Sequence, residues 1–152
     1  MDQVRVALAD DDARVRDALV DLLEADGRFE VVGQGASGED ALRLASEAGP
    51  AVVLVDGAMP GGGAEAARRL RALPNPPAVV VVSANVRQET VIAALRAGAR
   101  GYLAKGDLGT CLPEMVRRCA AGQVHLAVPH ADRVMTALLN PARRDVHPHP
   151  AA

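Results

Sequence analysis

The sequence predicts an α/β fold: a doubly wound, five-stranded parallel sheet between two layers of helices, a three-layer sandwich. Three observations predict it. Short Val-rich runs alternate five times with amphipathic stretches of helical period. Two of those runs, 51–55 (AVVLV) and 78–82 (AVVVV), are apolar throughout, as strands covered on both faces are. Gly, Pro or Asp-Gly separates most of the segments.

The elements follow in order. Residues 4–9, VRVALA, form a strand that ends in three aspartates. In residues 13–25, Val15, Ala18, Leu19, Leu22 and Leu23 recur at helical spacing, and Asp26-Gly27 stops that helix. Residues 29–33 form a second strand. Residues 37–48 form a helix with Ser37 as N-cap and Asp40 at the capping-box position, ended by Gly49-Pro50. The strand 51–55 runs into Asp56, and 57–63, GAMPGGG, reads as a glycine-rich, mobile loop. A helix over 64–73 closes at PNPP. The strand 78–82 ends at Ser83, a helix covers 87–97, and the strand 100–104 ends at Lys105. A fifth helix covers 109–121 and closes at Gly122. Alternation of this kind implies right-handed βαβ units with helices on both faces.

Bulk properties narrow the function. The chain has 152 residues, 49% hydrophobic and 24% charged, enough for one domain with its own core. The net charge of −2 gives no basic field for nucleic acid. One Phe, one Tyr and no Trp offer no stacking surface for single strands. No apolar run is long enough to cross a membrane, and the N-terminus turns acidic where a signal peptide would stay basic and then apolar, so a cytoplasmic location is expected. Cys111 and Cys119, eight residues apart, fit one face of a helix as buried thiols.

A parallel sheet brings the carboxyl ends of its strands to one edge, where ligands of such folds sit. Here that edge collects Asp10, Asp11 and Asp12 from the first strand, Asp56 from the third, Ser83 from the fourth and Lys105 from the fifth. Crowded carboxylates require a cation or must take up protons, and hard oxygen donors with a vacant side suit Mg²⁺ together with a phosphate. Lys and Ser suit phosphate oxygens as point charge and hydrogen-bond donor. The set reads as a phosphoryl-transfer site with Asp56 as nucleophile. The glycine loop lacks the Lys-Ser/Thr pair of a P-loop.

Over residues 3–122 the chain resembles the receiver domains of bacterial two-component response regulators. The resemblance rests on Asp10-Asp11, on Asp56 followed by Met59-Pro60-Gly61, on Ser83-Ala84, and on Gly101-Tyr102-Leu103-Ala104-Lys105. ALRAGARGYLAKG, with Lys105-Gly106 in place of Lys-Pro, is similar to the NarL/LuxR-type subfamily. The resemblance implies a flavodoxin-like (CheY-like) (βα)5 fold. It implies phosphorylation on Asp56 by a sensor histidine kinase, with Ser83 and Lys105 assisting. It implies Mg²⁺ held by Asp10, Asp11, Asp56 and the carbonyl of Ala58. It also implies a switch made of Ser83 and Tyr102, and control of an output partner or of dimerisation. Strand alternation puts Tyr102 and Lys105 on opposite faces. The chain departs from the family at Gly57, Ala58 and the Gly61-Gly62-Gly63 run.

The receiver is expected to span 1–122. Residues 123–139 read as a further segment with a helix or linker, and 140–152, with Arg143-Arg144, His147 and His149, as a flexible tail. About 30 residues are too few for a helix-turn-helix domain, so this chain is not expected to bind DNA itself. An output domain is expected to be either lost, left out or never present. Two other readings use the same residues: an interaction module that has abandoned phosphorylation, and a Mg²⁺-dependent phosphohydrolase suggested by Asp10-x-Asp12. The leading reading is a self-modifying receiver rather than a turnover enzyme.

Overall fold

The computed structural model describes residues 2–140. The tail read over 140–152, with its arginine pair and two histidines, lies outside the described residues apart from Asn140. The elements run β1 (Val4–Ala9), α1 (Ala13–Asp26), β2 (Phe29–Gly35), α2 (Gly38–Ala48), β3 (Val52–Asp56), α3 (Gly62–Arg71), β4 (Ala78–Ser83), α4 (Gln88–Arg96), β5 (Gly101–Ala104), α5 (Leu108–Ala120), β6 (His125–Ala127) and α6 (Ala131–Leu139). A single 3-10 turn, Lys105–Asp107, joins β5 to α5.

All strands are parallel, in the order β2-β1-β3-β4-β5-β6. Chain direction across the sheet reverses at β1/β3, the switch point where such sheets bind ligands. Strand alternation divides the core in two. Val6, Leu8, Leu54, Val80, Val82 and Leu103 face one side and pack with Leu19 and Leu23 of α1 and Leu112, Met115, Val116 and Cys119 of α5. Ala7, Val53, Val55, Val79, Val81 and Tyr102 face the other and pack with buried residues of α2, α3, α4 and α6. With every buried strand residue facing helices, β3 and β4 carry no polar position before Asp56 and Ser83.

Four expectations are corrected. The sheet has six strands, not five: His125–Ala127 adds to the edge of β5, with Tyr102 opposite Leu126. Three residues are too short a run to show strand period. Second, β2 continues to Gly35. Gly33 and Gly35 do not stop it; they let α2 approach, since a Cβ at Gly33 would meet Leu44 at 2.4 Å and one at Gly35 would meet Asp40 at 2.3 Å. Third, α3 starts at Gly62, inside the run read as loop. Gly63 is buried where a Cβ would lie 2.7 Å from Val81 Cγ1. Fourth, Asp40 does not close the expected capping box on Ser37. Its amide donates to Ser37 Oγ, but its carboxylate accepts from the Ala36 amide, which also holds the Asp40 pKa below the usual value.

Candidate functional site

The parallel register sets the site. Ala9 pairs with Val55, Asp56 with Val82, and Ser83 with Ala104. The residues that end these strands therefore share one edge, and the structure brings together Asp10, Asp11, Asp56, Ser83 and Lys105. Asp10, Asp56 and Ser83 are the buried polar residues of the described chain, each at most 2% exposed. Asp11 is exposed. Carboxylate oxygens of Asp10, Asp11 and Asp56 all lie within 4.8 Å of one another.

Local backbone geometry aims each carboxylate. Asp10 Oδ1 accepts from the Asp12 amide at 2.9 Å, and the Asp10 carbonyl accepts from the Arg16 guanidinium at 2.6 Å. Asp12 caps α1 by accepting from the Arg14 amide. Of the three aspartates, Asp12 is thus the helix cap, and it stands apart from the cluster. Asp56 Oδ1 accepts from the Ala58 amide at 2.9 Å. Gly57 passes so close to Ser83 that a Cβ there would lie 2.8 Å from Ser83 Cβ and Oγ, which gives a reason for glycine at this departure from the family pattern.

Lys105 Nζ lies 3.2 Å from Asp56 Oδ1 and 3.4 Å from Asp10 Oδ2. Burial disfavours its charge, but the Asp56 and Asp10 carboxylates outweigh burial and hold its pKa above the lysine value. Asp10 is raised above the usual carboxylate value, first by burial and then by the Asp56 charge, against the opposing Asp12 amide and Lys105. Asp10 Oδ2 is buried without a hydrogen bond; the lysine pairs with it electrostatically only. An orphaned buried oxygen among three hard donors is what a small divalent cation would satisfy.

Tyr102 is 1% exposed, on the opposite face of β5 from Leu103. Its hydroxyl donates to the Asn85 carbonyl at 2.6 Å. Ser83 Oγ accepts from the Asn85 amide at 3.0 Å, and Asn85 Oδ1 accepts from the Arg87 amide at the start of α4. Asn85 thus joins Ser83, Tyr102 and α4, and sequence reasoning missed it. Its only signal was an Asn shortly before a helix, the mark of an Asx-turn. Burial, and secondarily the Asp56 charge, raise the Tyr102 pKa above its ordinary value.

The model of the response regulator receiver domain matches residues 6–116. The chain belongs to that family. It is 35% identical over 145 residues to the response regulator GacA of Pseudomonas aeruginosa, covering 93% of this chain and 67% of that protein. The NarL receiver domain from Mycobacterium tuberculosis superposes with a TM-score of 0.77 at 35% identity, covering 81% of this chain and all of that one. A LuxR-family response regulator from Aurantimonas gives 0.80 at 27% identity, covering 90% of this chain and 98% of that one. These neighbours are receivers of NarL/LuxR type. The chain spans about two thirds of the length of the curated relatives it matches. Receivers of this family are regulatory domains that work with sensor histidine kinases and output domains. Among the described residues, no helix is long and apolar enough to cross a membrane.

Proposed function

We propose that this receiver, acting in the cytoplasm, takes a phosphoryl group onto Asp56 from the phosphohistidine of a sensor histidine kinase. The observation that carries the reading is the buried Asp56 carboxylate with Lys105 Nζ 3.2 Å away and two further carboxylates beside it. A carboxylate oxygen of Asp56 attacks phosphorus, the phosphorus–nitrogen bond of the donor breaks, and the departing imidazole keeps the electron pair and takes up a proton. An acyl phosphate remains on Asp56.

The chain's own groups hold that product. Lys105 offsets charge on the phosphoryl oxygens, and Ser83 donates its hydroxyl to one of them. The Ala58 amide fixes the orientation of the Asp56 carboxylate before attack. Asp10, Asp11, Asp56 and the Ala58 carbonyl would hold Mg²⁺, which supplies charge neutralisation between carboxylates and phosphate. Asp10 serves this through its orphaned Oδ2. The change is a self-modification rather than turnover, and its outcome is altered control of a partner or of dimerisation. In a longer chain of the NarL kind that partner would be a transcription-regulating output domain.

The test is intact-mass spectrometry after incubation with acetyl phosphate and Mg²⁺. Wild type should gain one phosphate and Asp56→Asn none. Equal masses before and after, in wild type, would leave an interaction module that does not use phosphorylation.

A further inference from the structure

We propose that the edge of the sheet opposite Asp56 carries a second ligand site, a cleft that takes a small organic phosphate between Arg71 and Arg100. The inference is independent of the phosphoacceptor reading of Asp56.

The topology makes the cleft. Ala51, Ala78 and Val79 line it where β3 and β4 begin, and the Ala78 amide donates to the Ala51 carbonyl at 2.9 Å. The Pro76-Pro77 segment before β4 and the last turn of α5 complete the lining. The space is about 390 Å³, within the range of small-molecule sites. It lies at the other end of the strands from the phosphoacceptor. Asp56 follows Ala51 by the length of β3, about 17 Å of extended chain.

Two guanidiniums line this space, Arg71 at the end of α3 and Arg100 just before β5, and both are open to solvent. No Asp or Glu lines it. That sets these arginines apart from their neighbours. Arg68 and Arg69, on the same helix as Arg71, pair with Glu65 and Glu39, and Arg117 and Arg118 of α5 share Glu114. Among the described residues, neither Arg71 nor Arg100 has a carboxylate within ion-pair distance. Both are nevertheless held in place. Arg100 Nη1 donates to the Gly122 carbonyl at 2.8 Å, which ties it to the end of α5 and leaves its other nitrogens for a ligand. Arg71 lies against Gly98, whose φ is 116°; a Cβ there would meet Arg71 Cδ at 2.6 Å and Nη1 at 3.0 Å.

Helix C-termini favour cations, and the ends of α3 and α5 are one reason for arginines here. A helix end carries only about half a charge, however, and its effect fades within a turn. Two full positive charges at one cleft are better matched by a doubly charged anion. The planar fork of arginine fits phosphate and carboxylate oxygens alike. A phosphomonoester carries the second charge that a single carboxylate lacks. The cleft is also far larger than an inorganic phosphate, and Pro76, Pro77 and Val79 offer apolar surface for an organic body.

The experiment follows backbone amide NMR shifts of the whole chain, without Mg²⁺, on titration with three probes. These are phenyl phosphate, benzoate (the same ring on a singly charged head) and inorganic phosphate (the head without a ring). Millimolar phenyl phosphate should shift the amides of 98–101 and 120–122 and bind more tightly than either of the others. Arg71→Gln and Arg100→Gln should each weaken it about 10-fold or more, the effect of one lost charge-assisted hydrogen bond. Asp56→Asn should bind it as wild type does. No shift at 98–101, or shifts centred on 56–58 and 83–85 instead, would overturn the site. Wild-type affinity in both arginine variants would do the same. Benzoate binding as tightly as phenyl phosphate would overturn the phosphate class, and equal binding of inorganic phosphate would reduce the cleft to unspecific charge attraction and overturn the proposal. None of these outcomes bears on whether Asp56 accepts phosphate.

Discussion

The hydroxyl of Tyr102 donates a 2.6 Å hydrogen bond to the backbone carbonyl of Asn85, so the only tyrosine of the chain is tied to the loop between β4 and α4. Burial makes that bond hard to replace with water. Tyr102→Phe should cost about 1 kcal/mol, the ordinary net value of one hydrogen bond, read as a lower urea midpoint. It should still accept phosphate on Asp56, because the Tyr102 hydroxyl bonds the Asn85 carbonyl rather than Asp56 or Lys105. The raised Tyr102 pKa has its own readout. Tyrosinate absorbance, unambiguous with one tyrosine, should appear only above the usual pH of 10, and at the usual pH once the chain is unfolded in denaturant.

Asp10 sits buried beside Asp56 with one oxygen unbonded. Its folded pKa lies above the ordinary 3.8, chiefly through burial. The folded chain therefore holds this proton more tightly than the unfolded chain does. Stability from Asp10 is full below pH 3.8 and is lost as pH rises through the folded value. Asp10→Asn keeps the shape and removes the charge. It should raise the denaturation midpoint at neutral pH, with the gain vanishing as pH falls below 3.8. A lower midpoint at pH 7 would show that pairing with Lys105 outweighs burial.

Much of this site was legible because each of Asp10, Asp56, Ser83 and Lys105 follows the last apolar residue of its strand. Parallel pairing leaves such residues one place to go. Tyr102 was legible by alternation, which puts it on the opposite face of β5 from Leu103. Asn85 was hidden because it works through its own amide and carbonyl, which every residue has. β6 was hidden because His125-Leu126-Ala127 becomes a strand only through the edge that β5 offers. The glycine run misled for a related reason. Glycine marks both a mobile loop and a close approach, and only the position of Val81 shows that Gly63 is the second.

That distinction can be measured. Gly63→Ala puts a Cβ 2.7 and 2.9 Å from the two methyls of Val81, between α3 and β4. The overpacking should cost about 1–3 kcal/mol. Val81→Ala in the same chain removes both methyls, so the double variant should recover part of the loss, a coupling of about 0.5–3 kcal/mol. Strict additivity in urea denaturation would mean that Gly63 serves backbone freedom rather than packing.

His125 stands at the start of β6. Its Nδ1 is buried without a hydrogen-bond partner. Burial, then the positive Arg118 on α5, lower its pKa below the ordinary 6.5, and the neighbouring Glu114 only partly offsets them. The folded chain therefore resists protonation of this ring more than the unfolded chain does. Above pH 6.5 the ring is neutral in both states and costs nothing. As pH falls through 6.5 the unfolded chain takes the proton first, and stability declines until the folded pKa is passed. The denaturation midpoint of wild type should fall between pH 7.5 and 5.5, and His125→Asn, which does not titrate there, should flatten that slope. Exchange protection of the 125–127 amides, corrected for intrinsic rates, should fall with it, because the charge that must be accommodated lies on that strand. If His125→Asn and wild type lose stability in parallel, the acid sensitivity of the chain arises elsewhere than at the sheet edge.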